Sequence, residues 1–177
     1  NPVYYVQYAH ARICSLIARL AAEGNAVSPA SRVDMALLSA PEELALIKTL
    51  AQYPEEIHLA ARDYDPSRIN RYLVDLAGDF HRFYRSCRIK GEEPALLSAR
   101  LKLADTVRSV LANGLNLLGV SAPETMAGGG FLYETKLEAG EIDPETAEAA
   151  ARQKAERDQR RRKARRPGSE ENGEERP

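Results

Sequence analysis

Long apolar runs are absent from this chain of 177 residues. None approaches the ~20 residues a helix needs to cross a bilayer, and no basic leader with an apolar signal core opens it. A membrane partner and an exported protein are therefore not expected, and the reading is cytoplasmic. Cysteine is scarce. Cys14 and Cys87 both sit inside helical patterns without metal spacing, which suits reduced, packed thiols better than a disulfide or redox pair. His10, His58 and His81 show no zinc spacing; His10 and His58 read as structural or merely exposed. No glycine-rich phosphate loop precedes a helix in the first 120 residues. With no nucleophile–base pair to assemble, a free-standing enzyme is disfavoured, and neither a cofactor nor a metal is expected in this chain. There is no initiator Met, and the chain starts abruptly on Asn1-Pro2, a helix cap and first-turn pair. It reads as a piece of a longer polypeptide.

An excess of one charge is missing too. Twenty-five basic residues face 26 acidic ones, for a net charge of −1. Residues 1–126 carry 14 of each sign, and residues 127–177 carry 11 basic and 12 acidic. Binding of a polyanion by overall charge is excluded, so any such site has to be a local cluster.

What is present is helical periodicity. Four long patterns occupy residues 2–118, and no alternating strand pattern competes. The first runs from Pro2 to about Glu23 and stops at Gly24. The second begins at Pro41-Glu42-Glu43, with Leu44, Ile47 and Leu50 as its apolar stripe. Pro54 breaks or kinks it, and helix resumes through Ile57 to Arg62. The third opens at Asp65-Pro66 and places Ile69, Leu73, Leu76, Phe80, Phe83 and Cys87 within an arc of about 80°. The fourth runs from about Pro94 to Leu118, with Val107, Val110, Leu111, Leu115 and Leu118 facing the core and Gly119 as its stop. Gly114 lies on that apolar face, where it permits close helix approach. The expected fold is an all-α antiparallel helical bundle over residues 1–126.

Residues 127–177 differ in character. Ala127-Gly128-Gly129-Gly130 reads as a flexible joint, and Asp143-Pro144-Glu145 starts a helix expected over about 143–162. Seven basic residues against one acid fill Arg157–Arg166, and a polar tail follows, expected to be disordered.

The opening helix has a second face. At about 100° per residue, Val6, Ala9, Ile13, Ile17 and Leu20 fall on one side, and Tyr5, Tyr8, Arg12 and Arg19 on the other. Outward rings beside guanidinium groups suit a flat, negatively charged ligand such as an RNA base on its phosphate chain. The rival for each is ordinary: Tyr8 lying over a neighbouring helix, Arg12 solvated or salt-bridged.

The segment Asn1-Pro2-Val3-Tyr4-Tyr5-Val6-Gln7-Tyr8-Ala9-His10-Ala11-Arg12 resembles the start of the C-terminal, DALR-type anticodon-binding domain of the class I arginyl-tRNA synthetases. Ser67-Arg68-Ile69, Phe80-His81-Arg82-Phe83-Tyr84, Ala99-Arg100-Leu101, the run Val110–Val120 and Pro123-Glu124-Thr125-Met126 continue the likeness in order. It covers residues 1–126; the 51 residues beyond Met126 match nothing in the family. The resemblance implies a helical bundle of the synthetase anticodon-binding type that grips the anticodon loop of arginine tRNA, where the middle base, a cytosine, is the main identity element. It implies contacts from Tyr8, Arg12, Tyr84 and Met126. The parent enzyme uses ATP with Mg2+ through signatures in an upstream catalytic domain; neither signature occurs here, so no aminoacylation is expected of this chain alone.

Other residues are weighed on their own chemistry. Arg68, Arg71, Arg82 and Arg85 share a face with Asp75 and Asp79, which could pair with them; Arg82 and Arg85 are candidates for phosphate contact. Tyr84, at the edge of the apolar arc, also suits a half-buried core ring. Arg100 falls on an apolar face and needs a partner, so it is read as a structural anchor to Asp75 or Asp79. A helical protein-interaction module with a charged docking tail is the alternative function.

Overall fold

Five α-helices and two short 3-10 turns make up the regular structure of residues 2–126, the part of the chain that this computed structural model describes. They are α1 (Pro2–Ala22), α2 (Pro41–Ala51), α3 (Tyr53–Arg62), α4 (Ser67–Ser86) and α5 (Pro94–Leu117), with turns at Ala30–Arg32 and Met35–Leu37. No strand occurs among the described residues, and no helix among them is long and apolar enough to cross a membrane. The chain divides into two units, Asn1–Met126 and Ala127–Pro177. The glycine joint, the helix expected at about 143–162 and the basic run lie outside the described residues.

Local chemistry sets the helix ends. Pro2, Pro41 and Pro94 open their helices and Pro54 is the second residue of α3, positions where the missing N–H is no loss. Asp65 Oδ1 accepts from the Ser67 backbone N–H at 3.1 Å, giving the first amide of α4 a partner. At the end of α5, Val120 N–H donates to Leu115 O at 2.9 Å, with Gly119 at φ +69°. Only a residue tolerant of the left-handed region makes that reversal without strain.

α4 packs against all four other helices. Its arc Leu73, Leu76, Phe80, Phe83 and Cys87 is buried, as are Val6, Ala9, Ile13 and Leu20 of α1 and Val107, Leu111 and Leu115 of α5. A Cβ on Gly114 would stand 2.5 Å from Leu73 Cδ2, so the α4–α5 approach needs a glycine there. α5 and α2 run antiparallel to α4. α1 lies along α4 in the same sense, with Tyr5 beside Gly78 and Arg12 beside Tyr84.

Two expectations are corrected. In α2 the buried positions are Glu43 and Leu46, while Leu44 is 53% exposed. The stripe is rotated because α2 turns a carboxylate inward. Arg100 is anchored, but not by Asp75 or Asp79. Its Nε donates to Glu43 Oε1 at 2.5 Å and its Nη1 to Arg88 O at 2.5 Å, with Glu92 Oε1 at 3.7 Å. Glu43 also accepts from the Ala40 backbone N–H at 2.8 Å, so one buried carboxylate both caps α2 and ties it to α5.

Candidate nucleic-acid interface

The parallel packing of α1 on α4 brings two helical ladders into register. Tyr5, Tyr8 and Arg12 of α1 meet Gly78, His81 and Tyr84 of α4, at the three-to-four-residue spacing that puts side chains on one flank. Arg12 Cζ lies 4.6 Å from the centre of the Tyr84 ring, a cation–π contact. Arg12 Nη1 donates to His81 Nδ1 at 3.3 Å. The His81 ring has Tyr5 at 5.4 Å, Tyr8 at 6.1 Å and Phe80 at 5.8 Å between centroids. Tyr84 stacks on Phe80 at 5.8 Å.

Tyr5, Tyr8, Arg12, Arg19 and Tyr84 are all half-buried. The first four were expected on the outward face, and that is corrected: α4 covers this flank of α1, so the rings lean on its surface instead of standing free. His81 is 5% exposed. Burial first, then the Arg12 and Arg85 cations, push its pKa down to about 3, so the imidazole is neutral at physiological pH. With Nδ1 accepting from Arg12, its proton sits on Nε2.

The outer face of α4 is ion-paired. Arg68 Nε meets Glu56 Oε2 at 2.7 Å, Arg71 Nη2 meets Asp65 Oδ2 at 3.1 Å, and Arg82 pairs with Asp79. Thr49 donates to Asp79 as well, at 2.5 Å. Arg85 is exposed and makes no ion pair among the described residues. Arg82 leans toward the seam: a Cβ on Gly78 would lie 3.7 Å from Arg82 Nη1 and 3.8 Å from Tyr5 Oη. The seam therefore has Arg12, Arg82 and Arg85 along it, and of these Arg82 is the one paired with Asp79.

Met126 is half-buried at the end of a segment tied to the other flank of α1. Gln7 Nε2 donates to Ser121 O at 2.8 Å, and His10 Nδ1 to Pro123 O at 2.9 Å. Those two residues lie about 150° around the helix from Tyr8 and Arg12. Among the described residues, no hydrogen bond or ring contact joins Met126 to Tyr8, Arg12 or Tyr84.

Sequence reasoning brought Tyr8, Arg12 and Tyr84 to one site but passed over His81, which it judged only for zinc spacing. Its position gave no signal: at about 100° per residue His81 falls about 80° beyond Leu73, the nearest member of the apolar arc.

The family described as the DALR anticodon binding domain matches residues 6–126. Arginine–tRNA ligases of Acetivibrio thermocellus and Bordetella pertussis are 51% and 52% identical over 126 residues, which is 71% of this chain and 22% of each relative. The chain thus spans under a quarter of the length of these relatives. The solved arginyl-tRNA synthetase of Thermus thermophilus aligns with a TM-score of 0.58 at 33% identity, over 69% of this chain and 21% of that one. A putative arginyl-tRNA synthetase of Campylobacter jejuni aligns with a TM-score of 0.62 at 28% identity, over 71% and 27%. A matched span that ends at Met126, where the helical unit also ends, and relatives of one kind lead to one conclusion: this chain belongs to the DALR anticodon binding domain family.

Proposed function

We propose that this chain is the anticodon-reading part of an arginine–tRNA ligase, working in the cytoplasm and in one polypeptide with a catalytic domain that lies outside these residues. Its partner is arginine tRNA. It contributes positioning and identity reading; adenylate formation from ATP and transfer to the terminal ribose belong to the catalytic domain. The carrying observation is the α1–α4 seam, where Arg12 stands over Tyr84 and Tyr8 lies against His81. Rings of this kind stack splayed loop bases, and a guanidinium bonds a phosphate or a base edge in bidentate fashion. Tyr8, Arg12 and Tyr84 form the cradle, and Arg82 and Arg85 approach the phosphate chain. Met126 comes from the other flank of α1, and Met126→Ala tests its share separately.

The test is titration of the 177-residue chain with a labelled arginine anticodon stem-loop and with a copy altered only at the middle anticodon letter. The expected result is salt-dependent binding that weakens with the altered letter. Equal binding of both RNAs, or none of either, refutes the assignment; capture of a protein partner regardless of RNA would favour the interaction-module reading.

A further inference from the structure

We propose that His81 is the positioning residue for Arg12: its neutral imidazole takes the Arg12 Nη1 hydrogen bond at Nδ1 and holds the guanidinium over the Tyr84 ring before any RNA arrives. The role of Arg12 in RNA contact rests on the reading above; the positioning claim concerns the free protein.

Three observations support this. The hydrogen bond and the cation–π contact act on the same guanidinium from two directions, Nη1 to His81 at 3.3 Å and Cζ to Tyr84 at 4.6 Å. His81 is itself fixed by Tyr5, Tyr8 and Phe80 around its ring. It also stays uncharged, because burial and two flanking arginines oppose its protonation. A carboxylate in its place would hold Arg12 equally well but would compete with an incoming phosphate for the guanidinium. The neutral imidazole orders the side chain and adds no competing charge of its own. Ordering it beforehand removes rotamer entropy that binding would otherwise cost.

The experiment compares the 177-residue chain with His81→Asn, His81→Leu, Arg12→Ala and the double variant His81→Leu/Arg12→Ala, each titrated with the arginine anticodon stem-loop. Asparagine can present Oδ1 where Nδ1 stood, and leucine cannot. His81→Asn should stay within about threefold of the parent, and His81→Leu should weaken binding by about tenfold, but by less than about twofold once Arg12 is already alanine. Additive losses in the double variant, or His81→Asn as weak as His81→Leu, overturn the proposal.

An RNA-free measurement keeps the two claims apart. Imidazole nitrogen NMR of the parent should show a neutral ring protonated at Nε2, with an Nδ1 resonance that moves in Arg12→Ala. If Nδ1 does not move, the positioning role is wrong even where RNA binds. If Nδ1 moves and the stem-loop still does not bind, the RNA reading fails and the positioning role stands. Should His81→Leu fail to fold, His81→Asn and the parent spectrum still decide the matter.

Discussion

Arg100 and Arg12 are both set into this bundle, and helix α4 and its C-terminal turn hold them by different chemistry. Arg100 faces the buried Glu43 carboxylate at 2.5 Å, the Glu92 carboxylate and the Arg88 carbonyl. Arg12 meets an uncharged imidazole and an aromatic ring. In the first setting the charge is neutralised, and the side chain serves to fasten α5 to α2. In the second, the imidazole and the ring fix geometry, and neither of them brings a charge to the guanidinium. A carboxylate fastens the first side chain, and an uncharged acceptor and a ring orient the second.

Breaking the first setting gives the largest effect. Arg100→Ala leaves Glu43 buried against no cation on α5, and urea unfolding should show a loss of about 3–5 kcal/mol. Anticodon stem-loop affinity, measured where the variant is folded, should hardly move, because Arg100 is not on the seam.

Next in size is the pH response of the second setting. His81 is depressed in the folded protein and ordinary when unfolded, so below pH 6.5 the unfolded chain binds the extra proton. Stability is then lost as pH falls from about 6.5 toward 3, by up to about 1.4 kcal/mol per pH unit from this group, and is indifferent to it above that window. Urea melts of His81→Asn across the same range should be flatter by that amount; an equal slope would mean the imidazole is not held neutral.

Tyr8→Ala and Arg12→Ala probe the same setting through RNA. Each should lower stem-loop affinity, Tyr8→Ala by roughly 1–3 kcal/mol for a lost base stack, with little change in melting temperature. A mirror-image outcome, stability lost and RNA binding kept, would make Arg12 a second Arg100. The smallest effect should come from Arg85→Ala, which is expected to reduce the slope of log affinity against log salt by about 1. Arg82→Ala should change it less, because Asp79 already engages that guanidinium.

Much of the fold was legible because its signals are local. The proline starts of α1, α2 and α5, the Gly119 reversal, the break near Pro54 and the apolar arc of α4 each depend on a few adjacent residues. Gly114 could be read as a close-approach position because a glycine on an apolar helix face sacrifices helix propensity and burial, a loss that close packing of a neighbouring helix offsets. What failed depends on neighbours distant in sequence. Glu43 is 57 residues from Arg100, and no periodicity says which helices become adjacent. For the same reason Leu44 was placed inward: an acid near a helix start has a sufficient local reason in the helix dipole. Tyr8 and Arg12 were picked out by helix periodicity and then by family likeness, and Tyr84 by the likeness. His81 was picked out by neither, since its significance lies in α1 running alongside α4, which nothing local encodes.

The contacts that clip the last described segment to α1 span nearly the whole unit: Gln7 reaches Ser121 across 114 positions, and His10 reaches Pro123 across 113. During synthesis the helix bearing Tyr8 and Arg12 emerges ahead of the rest of this unit but gains these two bonds only when Ser121 and Pro123 have left the ribosome. The unit is thus fully latched only once its final residues exist, so a nascent chain cut short before Pro123 presents its first helix without that latch.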